Sequence, residues 1–364
     1  MPANVAVVGL GKMGLSHLAV ANALEHLKVV AICDSSEVVG RILQKYTQIP
    51  FIANYEKLLD LPGLQGVIIA TPTTAHDWMV RKAIDKGLHV FCEKPLTLSS
   101  AQSRSLGATA AAKGLVAQVG YHNRFIGTFR EVKRLLDAGA IGTVSHIQGQ
   151  AYGPVVLKRP KPSWRAKAGG GGCLYDYAAH PINLMNWFLG TPETCNGAFL
   201  KSGFSAEVDD EVYATLGFAC GATGQISVNW SDHSVRKMST RIAIWGTSGI
   251  IHADRQEIQT YLTGTTKTPP DYKKGWTVRY ITELTPPVTF YLRGEEYSAQ
   301  LESFSESIVK HKISQQNSFH SSAETDETIE MIRAAAESGG TVGTYRHHEA
   351  MPRRAGFVGR MMGR

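Results

Sequence analysis

Apolar residues recur along the chain in two rhythms, and the rhythm changes after Tyr121. Up to that point, short continuous apolar runs at 29–33, 67–70 and 88–92 alternate with stretches whose apolar positions repeat at helical spacing. In the stretch that follows Thr71 and Pro72, Trp78, Val80, Ala83 and Ile84 largely share one helical face. Apolar runs without alternation, bounded by turns, read as strands buried on both sides. Strands separated by helices of this length need right-handed crossovers, so the pattern predicts a doubly wound parallel sheet. In such a sheet, ligands bind beyond the carboxyl ends of the strands.

Past Tyr121 a helical segment carries Phe129, Val132, Leu135 and Leu136 on one side and ends at Gly139. Strict alternation then takes over: Ile226, Val228 and Trp230 interleave with Gln225, Ser227 and Asn229, as in a sheet with one buried face. A large, mostly antiparallel open sheet with helices on one side is expected. Near the end of the chain Leu301, Phe304 and Ile308 share a helical face. Ser321 and Glu324 have the spacing of a capping box opening the helix that carries Ile329 and Ile332. Both helices are expected to complete a second, α+β domain.

A length of 364 residues exceeds the roughly 250–300 at which one core usually stops growing, so two domains are the natural prior. The expected division is 1–122 for a nucleotide-binding domain, 123–345 for a substrate-binding domain and 346–364 for a basic tail or arm. With 43% hydrophobic residues and 36 glycines, the chain has the composition of a folded, enzyme-like protein. No apolar run approaches about 18 residues, and no basic segment leads into an apolar one at the N-terminus. Neither a membrane span nor a secretory leader is read, and a cytoplasmic location is the default expectation. The formal charge is +7, yet bases and acids interleave except in the tail, with Arg353, Arg354, Arg360 and Arg364. No nucleic-acid partner is expected from so short an excess. Cys33, Cys92, Cys173, Cys195 and Cys220 form no C-x-x-C motif and read as reduced thiols, with no metal site.

Chemistry enters with the first turn. Gly9, Gly11 and Gly14 match G-x-G-x-x-G between a strand and a helix, with Lys12 and Met13 inside the motif. Gly9 permits the tight turn, Gly11 lets backbone approach a pyrophosphate, and Gly14 lets the helix lie close to the sheet. The helix N-terminus offers free N–H groups to phosphates. Asp34 ends the second strand, where a carboxylate accepts hydrogen bonds from ribose hydroxyls and repels a 2′-phosphate. Ser35 and Ser36 follow it without a compensating arginine, so NAD is expected in preference to NADP, although Lys12 and Arg41 are cations on nearby turns. Together these features specify a Rossmann-type first domain.

Two further groups carry chemistry. Glu93 and Lys94 end a parallel strand, and Pro95 fixes its own φ and restricts Lys94, so the lysine is aimed rather than loose. Downstream, four glycines at 169–172 precede a helical stretch with Asp176 and His180 one turn apart on one face. An imidazole is the commonest general base near neutral pH, and a carboxylate can orient it or hold a substrate hydroxyl. A plain surface pair and a flexible linker are the bland alternatives. The apolar and aromatic residues that follow, among them Leu184, Trp187 and Phe188, favour a close backbone approach at the glycines.

These motifs, in this order, resemble the Gfo/Idh/MocA family, the glucose-fructose oxidoreductase and inositol dehydrogenase group. The matching stretches are GLGKMG at 9–14, ATPTTAH at 70–76, EKP at 93–95, GYHNRF at 120–125, SWR at 163–165 and GGGGCLYDYAAH at 169–180. The resemblance implies that Lys94, Asp176 and His180 are catalytic and that the Lys94–Pro95 bond is cis. It implies cofactor contacts from Gly9, Gly11, Lys12, Met13, Gly14, Asp34, Ser35, Thr71, Pro72, Thr73, His76, Glu93 and Lys94. It also implies a nicotinamide and substrate pocket lined by Tyr121, Asn123, Arg124, Trp164, Arg165 and Asn183. Ala178 stands where relatives usually have Gly, and Asn183 where Asp is frequent. His122 reads as an ordinary polar residue.

The activity implied is oxidation of a secondary hydroxyl on a sugar, cyclitol or sugar derivative, with hydride passing to NAD. The alternatives are a glycoside-processing enzyme that uses tightly bound NAD transiently, and a non-catalytic regulator that senses NAD and sugar. A small polyhydroxylated substrate is expected, and by analogy a homodimer or homotetramer assembled through the open sheet.

Overall fold

The computed structural model of the protein describes residues 1–157, 169–312, 315–339 and 342–343. The first apolar runs form strands β1 (Ala3–Val8), β2 (Leu27–Cys33), β3 (Gly66–Ile69), β4 (His89–Cys92) and β5 (Ala117–Val119). They pair in parallel in the order β2-β1-β3-β4-β5. Helices α1 (Lys12–Ala23), α2 (Glu37–Thr47), α3 (Tyr55–Leu59), α4 (His76–Asp85) and α5 (Ser100–Ala112) lie in the intervening chain. The order reverses between β1 and β3, which opens a crevice beyond their carboxyl ends. One expected core position differs: Trp78 is 47% exposed with its ring edge-on to Tyr55, and its neighbour Met79 is buried instead.

After α6 (Gly127–Asp137) come β6 (Val144–Tyr152), a π-helical turn (Leu174–Ala178), α7 (Ala179–Leu189), β7 (Thr194–Lys201), β8 (Glu211–Gly217), β9 (Thr223–Asn229), β10 (Ser239–Gly246), β11 (Gly249–Asp254), β12 (Glu257–Leu262) and β13 (Gly275–Tyr280). With the short β14 (Val342–Gly343), these strands form a nine-stranded sheet in the order β13-β12-β11-β10-β6-β9-β8-β7-β14. Every pairing is antiparallel except β6 with β9. Alternation sorts its faces: Ile226 and Val228 are buried, while Gln225 is exposed. The buried face packs on α6 and α7. The other face is open, and hollows of about 490 and 410 Å³ lie along it among Gln148, Trp245 and Tyr213.

The last helices depart from expectation. After the short α8 (Ile281–Leu284), α9 (Glu295–Val309) lays Leu301, Phe304 and Ile308 on the first sheet, in one core with Val5, Val7, Leu18 and Phe91. The Phe304 and Phe91 rings meet 5.9 Å apart. This segment therefore completes the first domain's core and not the second's. The final helix, α10 (Phe319–Ser338), is capped by Ser318, whose hydroxyl accepts from Ser321 N–H at 3.3 Å, so the cap lies three residues before the expected Ser321. It packs on both α5 and α7. Polar pairs join it to α5: Ser103 donates to Asp326 at 2.6 Å and Ser100 to Glu330 at 2.5 Å. The tail at 346–364 lies outside the described residues.

Candidate active site

The turn after β1 shows what each glycine is for. Gly9 sits at φ +87°, and a Cβ there would press on the Ala70 carbonyl at 2.8 Å. A Cβ on Gly14 would collide with the Gly9 carbonyl oxygen, so this glycine lets α1 meet the turn. Gly11 differs from both. Its φ of −70° suits any residue, and a Cβ there would have no neighbour within 4 Å. Among the described residues nothing requires glycine at that point, while a ligand pressed against the backbone would. Among the described residues no side chain caps α1, which leaves its first N–H groups for an anion.

Asp34 stands at the end of β2. Its Oδ2 accepts the Leu10 N–H at 2.5 Å and its Oδ1 the Ser36 N–H at 2.7 Å, which fixes the carboxylate beside the glycine turn with lone pairs to spare. Arg41 is spent on Glu37 at 2.9 Å, and Ser35 is exposed. These residues fit the dinucleotide that the motif implies: phosphates at the α1 N-terminus and a ribose diol at Asp34. From the next strand, Thr71 and Pro72 border the same crevice, but Thr73 and His76 are buried. His76 faces the Thr71 carbonyl at 3.0 Å through Nε2 and the Pro95 carbonyl at 2.9 Å through Nδ1. Burial lowers its pKa. It fastens two crevice loops together from beneath.

At the end of β4, Glu93 is held by His17 of α1 at 2.7 Å and by its neighbour's Lys94 N–H at 3.2 Å. Burial pushes the Glu93 pKa up, but the His17 bond and the Lys94 charge prevail and leave it lowered. Lys94, whose bond to Pro95 is cis, turns the other way, toward the second domain. Its ammonium donates to the Asp176 carbonyl at 2.8 Å and to Asp176 Oδ1 at 3.0 Å, with the two side chains 12% and 3% exposed. Among the described residues, two of the three ammonium donors are thus engaged, which leaves the third for a ligand.

Asp176 lies on the π-helical turn and His180 in the first turn of α7, both buried. The glycine run is not a linker. Gly172 sits at φ +105°, where a Cβ would strike Asp209, and Asp209 caps the turn by accepting the Leu174 N–H at 2.7 Å. Around His180, Tyr121 meets the imidazole edge-on at 6.4 Å and His122 at 5.1 Å. Sequence reasoning passed over His122 and its stacking partner Tyr297, 4.7 Å away on α9. The position of His122, just past the end of β5, was the signal available for it.

Other expected pocket residues are hydrogen-bonded to one another. Arg124 is buried, donating from Nε to Asn183 Oδ1 at 2.7 Å and from Nη2 to the Asn183 carbonyl at 3.0 Å, over the Trp187 ring. Burial brings its pKa down to about 10. Asn183 in turn donates to Thr325 at 2.9 Å. The two side chains thus tie the turn after β5 to α7. Tyr121 and Asn123 are also buried. Trp164 and Arg165 lie outside the described residues.

Comparison with known proteins matches the chain to two family descriptions. Residues 3–121 match the oxidoreductase family with NAD-binding Rossmann fold, and residues 129–252 match the GFO/IDH/MocA C-terminal domain. The NAD⁺-dependent scyllo-inositol 2-dehydrogenase of Bacillus subtilis strain 168 is 30% identical, covering 68% of this chain and 72% of its own. The 2,7-anhydro-N-acetylneuraminate hydratase of Escherichia coli K12 is 28% identical over 70% and 68%. A solved levoglucosan dehydrogenase in complex with NADH and levoglucosan shares the fold, with a TM-score of 0.84 at 23% identity, covering 95% of this chain and all of that one.

Proposed function

Since the chain belongs to the Gfo/Idh/MocA family of NAD-binding oxidoreductases, we propose that it oxidises a secondary hydroxyl of a sugar, cyclitol or sugar derivative. The observation that carries this reading is the convergence of Lys94, from the dinucleotide-binding sheet, with the Asp176 to His180 segment from the other domain. Bound NAD supplies the hydride acceptor. Gly9, Gly11, Lys12, Met13, Gly14, Asp34 and Ser35 would hold its phosphates and adenosine ribose, and Thr71, Pro72, Glu93 and Lys94 would border the rest.

His180 takes the proton from the reacting hydroxyl as general base. Lys94 donates its third ammonium proton to the same oxygen and stabilises the charge that develops there. Asp176 keeps the ammonium aimed by accepting from it through both carbonyl and carboxylate. The buried walls around the pair exclude water, which strengthens both interactions. A homodimer or homotetramer through the open sheet face belongs to the same proposal. It is supported by large rings left uncovered on the second sheet, with Phe199 67% and Trp276 50% exposed.

A second reading has one observation in its favour: a hydratase stands among the similar proteins at 28% identity. On that reading NAD stays bound and the substrate is oxidised only transiently. One experiment separates the two. Purified protein is incubated with NAD and, in turn, inositols, free sugars, glycosides and anhydrosugars, while NADH absorbance and products are both followed. NADH accumulation with one class supports the dehydrogenase. Product without NADH supports the internal cycle, and neither signal with any compound refutes both.

A further inference from the structure

We propose that His122 is a specificity-determining residue that hydrogen-bonds the hydroxyl vicinal to the one oxidised, so that the substrate presents a vicinal diol at the reacting carbon. The inference rests on the functional reading above and deepens it. His122 follows the end of β5 in a short 3-10 turn (His122–Phe125), on the crevice side of the first sheet. One face of its ring stacks on Tyr297 at 4.7 Å and an interplanar angle of 18°, and the Arg293 guanidinium lies over Tyr297 at 5.4 Å. Its edge meets His180 at 5.1 Å and 66°. The ring is therefore fixed by stacking on one side and by the proposed base on another.

Its nitrogens are not used in that packing. Among the described residues no hydrogen bond reaches either ring nitrogen of this half-buried ring. Its surroundings favour the neutral imidazole. Burial, reinforced by Arg255, Lys94 and Arg293 and opposed by Glu93, brings its pKa down to about 3. A neutral imidazole carries one donor and one acceptor, which suits a hydroxyl that must do both. A cation here would repel the proton that His180 must accept. Two imidazoles at this separation can address neighbouring oxygens on one ring, with His180 at the reacting hydroxyl and His122 at the next carbon.

The test uses the polyol that the wild-type protein turns over and its analogue lacking the vicinal hydroxyl, with steady-state kinetics and NADH titration. His122→Phe keeps the stack on Tyr297 and removes both nitrogens, and His122→Asn restores a donor and an acceptor should the phenylalanine disturb folding. The expected result is a KM for the polyol raised about tenfold or more, the loss typical of one hydrogen bond to a ligand. KM for the deoxy analogue and the NADH Kd should stay within about twofold, and His122→Asn should recover part of the loss. Equal effects on polyol and analogue, a fall in kcat at constant KM, or a weakened NADH Kd would each overturn the assignment. Wild-type protein that turns over no polyol would instead remove the functional reading, and this inference with it.

Discussion

Gly11 and Gly14 belong to one motif, yet the structure assigns them opposite sensitivities, and this separates a fold requirement from a ligand requirement. Gly11→Ala places its Cβ in open space at an ordinary φ of −70°. The apo protein should change by less than about 1 kcal/mol, because the freedom lost by the unfolded chain offsets the poorer helix N-cap that alanine makes. Gly14→Ala drives its Cβ into the Gly9 carbonyl, which belongs to the main chain and cannot rotate away. Overpacking of that kind costs about 1–3 kcal/mol, and α1 must shift to relieve it. For NADH the ranking changes. A methyl at Gly11 holds the pyrophosphate off the backbone donors, and losing one hydrogen bond to a charged group costs about 1.5–3 kcal/mol, roughly 10- to 100-fold in Kd. The assays are thermal unfolding of the apo protein and fluorescence titration with NADH. A Gly11→Ala protein that unfolds normally and binds NADH within twofold of wild type would refute the reasoning.

Three more outcomes follow from the same geometry. Lys94→Ala and His180→Asn should each lower turnover by about 10²–10⁴-fold while NADH titration stays within a few-fold, since neither forms the glycine turn. Asp34→Asn leaves one acceptor where Leu10 and Ser36 need two, so NADH affinity should fall about tenfold or more and NADPH affinity much less. Asp326 is buried against α5 with its pKa pushed up to about 8 by burial. The folded state holds its proton from the unfolded pKa near 4 up to about 8, so this group lowers stability progressively as pH rises through that window. Asp326→Asn should flatten the slope, and chemical unfolding at both ends of the window would show a variant gaining on wild type at the alkaline end; an unchanged difference would refute the assignment.

Much of this was legible in the chain. Local period and turn residues announced the first sheet, because each parallel strand is a short apolar run and each crossover a helix, and β1 to β5 lie where those runs stand. The crevice and its Gly9, Gly11, Gly14 and Asp34 followed from the rule that ligands sit beyond strand ends. What escaped was set by long-range packing. The periodicity of Leu301, Phe304 and Ile308 says that a helix buries one face, and not that the face lies on a sheet hundreds of residues upstream. Arg124 and Asn183 have the polar chemistry of pocket residues, and nothing in the local sequence shows that they hydrogen-bond each other across 59 residues. His122 escaped because a lone histidine in a turn is usually unremarkable until a second ring is found beside it.

The position of α9 also bears on how the protein is made. Its apolar face closes over Val5, Val7 and Phe91, which leave the ribosome long before it does. Those strands wait uncovered on that side until Val309 has been made, by which time most of the other domain is already available to fold. The nucleotide-binding half is thus begun before the other domain and closed only after most of that domain has been made. Cutting the chain between the two sheets would leave that half with an apolar face bare.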